Sequence, residues 1–128
     1  VKNVESPWCL DLAIDPIGVG RARRLAAAFA RHEHVDAVSE SLVLVTSELV
    51  SNAIRFADSA VTITLTRHGP SIRVEVADDG GGTPRVGHPG ATIAGGRGLL
   101  IIDGLASDWG SHRSGAGKVV WAELAADV

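Results

Sequence analysis

Three short segments of this sequence hold side chains suited to phosphate and divalent-cation chemistry, and they come in a fixed order. Glu48 and Asn52 lie four residues apart in Glu48-Leu49-Val50-Ser51-Asn52, a run with neither Gly nor Pro. On a helix they project from one face, about 40° apart around the axis and about 6 Å along it. A carboxylate in that place can take a proton from an attacking hydroxyl or water. A neutral amide oxygen can ligate Mg2+, a cation that takes few protein ligands and several phosphate oxygens. Further on stand Asp78-Asp79-Gly80-Gly81-Gly82 and then Gly96-Arg97-Gly98-Leu99. Asp78 can accept a hydrogen bond from an exocyclic amine, and Gly80 and Gly82 let backbone come close to a ligand. Gly96 and Gly98 precede a helical pattern, so backbone N–H groups and the positive helix end can face phosphate oxygens.

Each motif has a plainer explanation when taken singly. Asp-Asp-Gly-Gly is a common turn, Gly-x-Gly is ordinary punctuation before a helix, and a Glu beside a buried helix is often a solvated flank. Asn52 resists this treatment, because Asn is a poor residue for a helix interior and should be there for a contact. Two other nucleotide motifs fail on the residues themselves. Gly117-Lys118 has His112 where a Walker A loop needs glycine and Val119 where it needs Ser or Thr; Gly18-x-Gly20, Gly80-x-Gly82 and Gly96-x-Gly98 each miss the third glycine of a dinucleotide fingerprint, which would fall on Arg23, Arg85 or Ile101.

The elements that must position these residues follow from periodicity. Trp8, Leu10, Leu12 and Ile14 alternate as in a half-buried strand, and Asp15-Pro16 opens a helix that runs to Arg31 despite two early glycines. Residues 36–57 form a longer helix with two apolar stripes, Glu48 and Asn52 falling between them. Val61–Leu65 and Ile72–Val76 alternate and read as a hairpin that delivers Asp78 to its end. Residues 80–96 have the Gly and Pro content of a lid loop, 97–105 a short helix, and 107–112 with 117–124 a closing hairpin. Strands that come in hairpins predict an α+β two-layer sandwich over residues 1–128, a mixed or antiparallel sheet with helices on one face, in preference to a doubly wound fold.

Composition narrows the class. A net charge of −3, with two lysines against ten arginines, gives no field for nucleic acid. No membrane span is expected, and without a secretory leader pattern and with one cysteine, Cys9, a reducing cytoplasm is the expected compartment. Cys9 reads as a small core residue, and the five histidines lack a set of partners with metal-ligand spacing. Arg21, Arg23, Arg24 and Arg31 concentrate positive charge on the first helix.

Glu-x-x-x-Asn, Asp-x-Gly-x-Gly and Gly-x-Gly-Leu in this order resemble the N, G1 and G2 boxes of the GHKL ATPase/kinase superfamily, with its Bergerat ATP-binding fold. The texture Val45-Thr46-Ser47-Glu48-Leu49-Val50-Ser51-Asn52-Ala53 and the tail Gly117-Lys118-Val119-Val120-Trp121 resemble the bacterial anti-sigma-factor serine-protein kinases, over about Asp11 to Leu124. The resemblance implies ATP and Mg2+ as cofactors and Glu48 as catalytic base. It implies Asn52 on the metal, Asp78 on the adenine amine, and Gly80, Gly82, Gly96, Arg97, Gly98, Leu99 and Lys118 around the nucleotide. It also implies a sigma factor and an anti-anti-sigma protein as partners, with the first helix bordering their docking surface and a homodimer as one assembly to expect. Two departures stand out. Phe56 replaces a common His, and Val119 replaces a Thr whose lost hydroxyl is expected to cost about 1 kcal/mol of nucleotide binding. A nucleotide-gated binding module without catalysis is the alternative of a different class. The ATP-binding domain of a histidine kinase is disfavoured, since no phosphoacceptor helix is legible.

Overall fold

The structure, a computed structural model, describes residues 6–80, 99–115 and 117–126. The alternation at the start of the chain becomes β1 (Trp8–Leu12), which sends Trp8, Leu10 and Leu12 inward; the Trp8 ring meets Phe29 edge-on at 5.3 Å. The same period sends Cys9 and Asp11 outward. Cys9 is therefore exposed, not the core residue the sequence suggested, and its sulfur accepts a hydrogen bond from Thr64.

Asp15 caps α1 (Pro16–His32): its side chain accepts from the Gly18 N–H at 3.1 Å, with Pro16 in the first turn. Gly18 is required because a Cβ there would lie 2.0 Å from the Ala13 carbonyl oxygen, so the chain folds back on itself at this corner only without a side chain. A 3-10 turn, Asp36–Val38, leads into α2 (Ser39–Phe56). No membrane span is expected from the sequence, yet by length and composition alone the stretch Asp36–Phe56 could cross a membrane. Here Leu42, Val45, Leu49, Val50 and Ala53 are buried in the core between α1 and the sheet, with Glu40, Glu48 and Arg55 along the other sides of the helix.

Both hairpin strands are longer than the alternation alone marked. β2 (Val61–His68) and β3 (Ser71–Asp78) meet with His68 opposite Ser71, and Gly69 takes the turn at φ +57°. A helix over residues 99–105 buries Leu99 and Ile102. β4 (Asp108–Ser114) and β5 (Gly117–Ala125) close the sheet. Its order is β1-β2-β3-β5-β4 with every pairing antiparallel.

Burial assigns the two faces. Ile63, Leu65, Ile72, Val74, Val76, Val120, Ala122 and Leu124 point to the helix layer and form the core with α1, α2 and residues 99–105. The opposite face carries Asp11, Thr62, Thr64, Glu75 and Glu123, and Arg73 there lies 4.2 Å over the Trp121 ring while pairing with Glu75 and Glu123. The chain is thus an α+β sandwich of one antiparallel sheet under one helical layer.

Candidate nucleotide site

Three chain segments converge at one end of the sheet because glycine permits it. A Cβ on Gly80 would stand 1.9 Å from the Phe56 carbonyl oxygen, and one on Gly117 would stand 1.8 Å from the Asp78 carbonyl oxygen. The ends of α2, β3 and β5 therefore lie backbone against backbone. Asp79 fixes the first of these junctions. Its carboxylate accepts the backbone N–H groups of Asp58, Ser59 and Ala60, each at 3.1 Å, and the Ser59 hydroxyl. The Ser59 hydroxyl, followed by these N–H groups, holds the Asp79 carboxyl well below the usual carboxylate range.

Asp78 and Lys118 stand opposite one another in the β3–β5 ladder and both face the helix layer. Asp78 Oδ1 accepts the Gly80 N–H at 2.9 Å, and Asp78 Oδ2 accepts from Lys118 Nζ in a buried ion pair. The ammonium also lies 5.2 Å from the centre of the Phe56 ring. Side-chain exposure is 0% for Asp78 and 7% for Lys118, so this end of the sheet holds a desolvated charge pair.

Glu48, Asn52 and Phe56 occur at intervals of four along α2, so they form a ladder on one side of the helix, one rung per turn. The lowest rung, Phe56, rests on Lys118 and on Gly80. Asn52 stands one turn above it and Glu48 a turn above that, each rise about 6 Å. Both are half-buried, and neither side chain forms a hydrogen bond or ion pair among the described residues. Among the described residues, an amide and a carboxylate without partners thus climb away from a buried acceptor–donor pair. A purine at the bottom, phosphates further up and a cation between phosphate and amide would use all of them.

Among the described residues no group of three or more His, Cys, Asp and Glu could hold a metal. A cation here would arrive with phosphate oxygens and take Asn52 as its ligand from this helix, which suits Mg2+.

Of the residues expected from the sequence, Asp78, Gly80 and Lys118 fall at this corner, and Asn52 and Glu48 stand one and two turns up α2 from Phe56; Leu99 is buried at the start of the helix over residues 99–105. Gly82, Gly96, Arg97, Gly98 and the expected lid lie outside the described residues. The expectation for Val119 is corrected. Val119 sits opposite Ala77 and His112 in the ladders, and a strand turns successive side chains to opposite faces. With Lys118 toward Asp78, Val119 faces the other side of the sheet, where a Thr hydroxyl would not reach the nucleotide. Asp79 and Gly117 were not singled out by sequence reasoning, and Phe56 was noted only as a departure. The continuing four-residue spacing from Glu48 through Asn52 was the available signal for Phe56.

Comparison with known proteins agrees with this fold. Residues 12–124 match the family model described as the histidine kinase-like ATPase domain, and the chain belongs to that family. Its fold is also similar to that of the Acinetobacter baumannii histidine kinase AdeS, with a TM-score of 0.56 at 12% identity over 94% of this chain and 68% of that one. Comparison with curated protein sequences gives no match. A kinase-like ATPase domain of the GHKL type, with the ATP binding that this implies, is the class the chain belongs to.

Proposed function

We propose that this protein is an ATP- and Mg2+-dependent serine-protein kinase that also acts as an anti-sigma factor. In this reading it binds a sigma factor inside the cell and phosphorylates a small anti-anti-sigma protein. The observation that carries the catalytic part is the ladder of Glu48 and Asn52 above the Asp78–Lys118 pair. Glu48 takes the proton of an attacking hydroxyl, Asn52 orients the cation, and Asp78 receives the base amine. ATP brings the γ-phosphoryl group, which passes to a serine hydroxyl of the partner and leaves ADP. The partner assignment draws on the motif texture Val45–Ala53 and Gly117–Trp121, and on four arginines, Arg21, Arg23, Arg24 and Arg31, exposed along α1.

Transfer of labelled phosphate from ATP to a purified serine-bearing partner tests the proposal. Glu48→Gln keeps the size of the side chain and removes the base, so transfer should fall about 10²-fold or more while ATP affinity stays within a few fold. If the wild type transfers no phosphate yet grips its partner more tightly with ATP present, the protein is a nucleotide-gated binding module instead.

A further inference from the structure

The proposed function gives Asp78 the amine of the base, yet its carboxylate is 0% exposed. Lys118 and Gly80 are both part of its cover. Oδ1 is taken by the Gly80 N–H and Oδ2 by Lys118 Nζ, so a base edge that approaches the carboxylate also meets the ammonium. An ammonium has three N–H donors. Asp78 takes one, and the Phe56 ring 5.2 Å away attracts the charge without accepting a hydrogen bond at an oxygen or nitrogen. Among the described residues, Lys118 therefore keeps donors to spare beside the acceptor.

We infer that Lys118 is a base-reading residue and that Lys118 and Asp78 recognise adenine together. The two groups lie within hydrogen-bonding distance of one another and present an acceptor and a donor side by side. Adenine offers the complementary couple on each of its polar edges: the exocyclic N6–H donor stands beside the N1 acceptor on one and beside the N7 acceptor on the other. Asp78 accepts from N6–H, and Lys118 donates to the adjoining ring nitrogen. This role rests on the ATP reading and adds a second point of contact to it, placed by register: Lys118 faces Asp78, and its neighbour Val119 faces away.

The test is calorimetric titration of the full chain with ATP, 1-deaza-ATP and 7-deaza-ATP, each analogue lacking one ring nitrogen. Wild type should bind one of the two analogues about tenfold or more weakly than ATP, the loss of one hydrogen bond from a charged donor. Lys118→Arg should keep a preference of that kind. Lys118→Met should bind ATP and the same analogue within about twofold of each other, because the donor that sensed the nitrogen has gone. A change in fold stability alone would weaken all three ligands together and leave their ratio intact. Wild type binding all three equally, or Lys118→Met retaining the wild-type ratio, overturns the inference while the ATP reading stands. Failure of wild type to bind any of the three overturns both. Should Lys118→Met not fold, the wild-type ratio and Lys118→Arg decide the matter.

Discussion

Replacing Lys118 by Met keeps the unbranched apolar stem out to Cε while removing the ammonium that faces Asp78. Whether this costs much depends on solvent. The Arg73 pairs with Glu75 and Glu123 lie on the open face of the sheet with side chains 21–38% exposed, where water and salt screen them to about 0–1 kcal/mol each. The Asp78–Lys118 pair is 0% and 7% exposed, and removing one partner of such a pair costs about 3–5 kcal/mol because the other charge stays buried without compensation. Unfolding entropy is about 2.1 cal/mol/K per residue, so over 128 residues it amounts to about 0.27 kcal/mol/K. Lys118→Met should therefore lower Tm by roughly 10–20 °C, against a few degrees for Arg73→Met. The double variant Asp78→Asn with Lys118→Met removes both charges, and its amide oxygen still accepts the Gly80 N–H. It should recover at least half of the loss, which is the signature of coupling between the two sites. Thermal and urea unfolding of the four proteins of the cycle provide the measurement. A Lys118→Met protein within about 1 kcal/mol of wild type, or a double variant equal to the sum of the singles, would refute the reasoning from burial.

Three further outcomes follow from the same corner. Asp79 is held below the usual carboxylate range in the folded state, so its stabilising effect is complete above the unfolded value of about 4 and declines as pH falls through and below that value. The stability gap between wild type and Asp79→Ala, measured by urea unfolding, should be wide at neutral pH and narrower in acid; an unchanged gap would dismiss the clamp. Asn52→Ala should lose Mg2+-dependent nucleotide binding and phosphotransfer together, because in the proposed function Asn52 supplies the amide ligand of the cation, and equal binding with and without Mg2+ in wild type would contradict that role. Val119→Thr should leave nucleotide affinity unchanged within about twofold, since its hydroxyl would point to the open face of the sheet, and a gain of fivefold would put the register in question.

How much of this was legible in the sequence depends on whether a feature is local. The strand at Trp8–Leu12, the α1 cap at Asp15-Pro16 and the apolar stripes of α2 are written in periods of two and 3.6, and the structure has them within a few residues. A small apolar residue type suggests a core place for Cys9, but its strand's period of two sends it outward once Trp8 and Leu10 point in. What is not local was not legible. Nothing in the run Gly117-Lys118-Val119 says which of the two side chains looks toward Asp78, because that follows from the pairing of β3 with β5, forty residues apart in sequence for Asp78 and Lys118. A shift of one residue in that pairing would exchange Lys118 for Val119 and replace a buried ion pair by an unpartnered carboxylate. The register is therefore stabilised by the same pair to which the proposed function assigns the base: the alternative would bury Asp78 without a charge partner, at a cost far above that of an exposed Lys118. In the same way the Asp79 clamp joins residues about twenty positions apart, and the proximity of Gly80 to the Phe56 carbonyl is a property of two element ends that no window along the chain contains. The motif glycines are visible as glycines; that two of them serve to let backbone meet backbone, and so bring the α2 ladder down onto Asp78, is a consequence of topology.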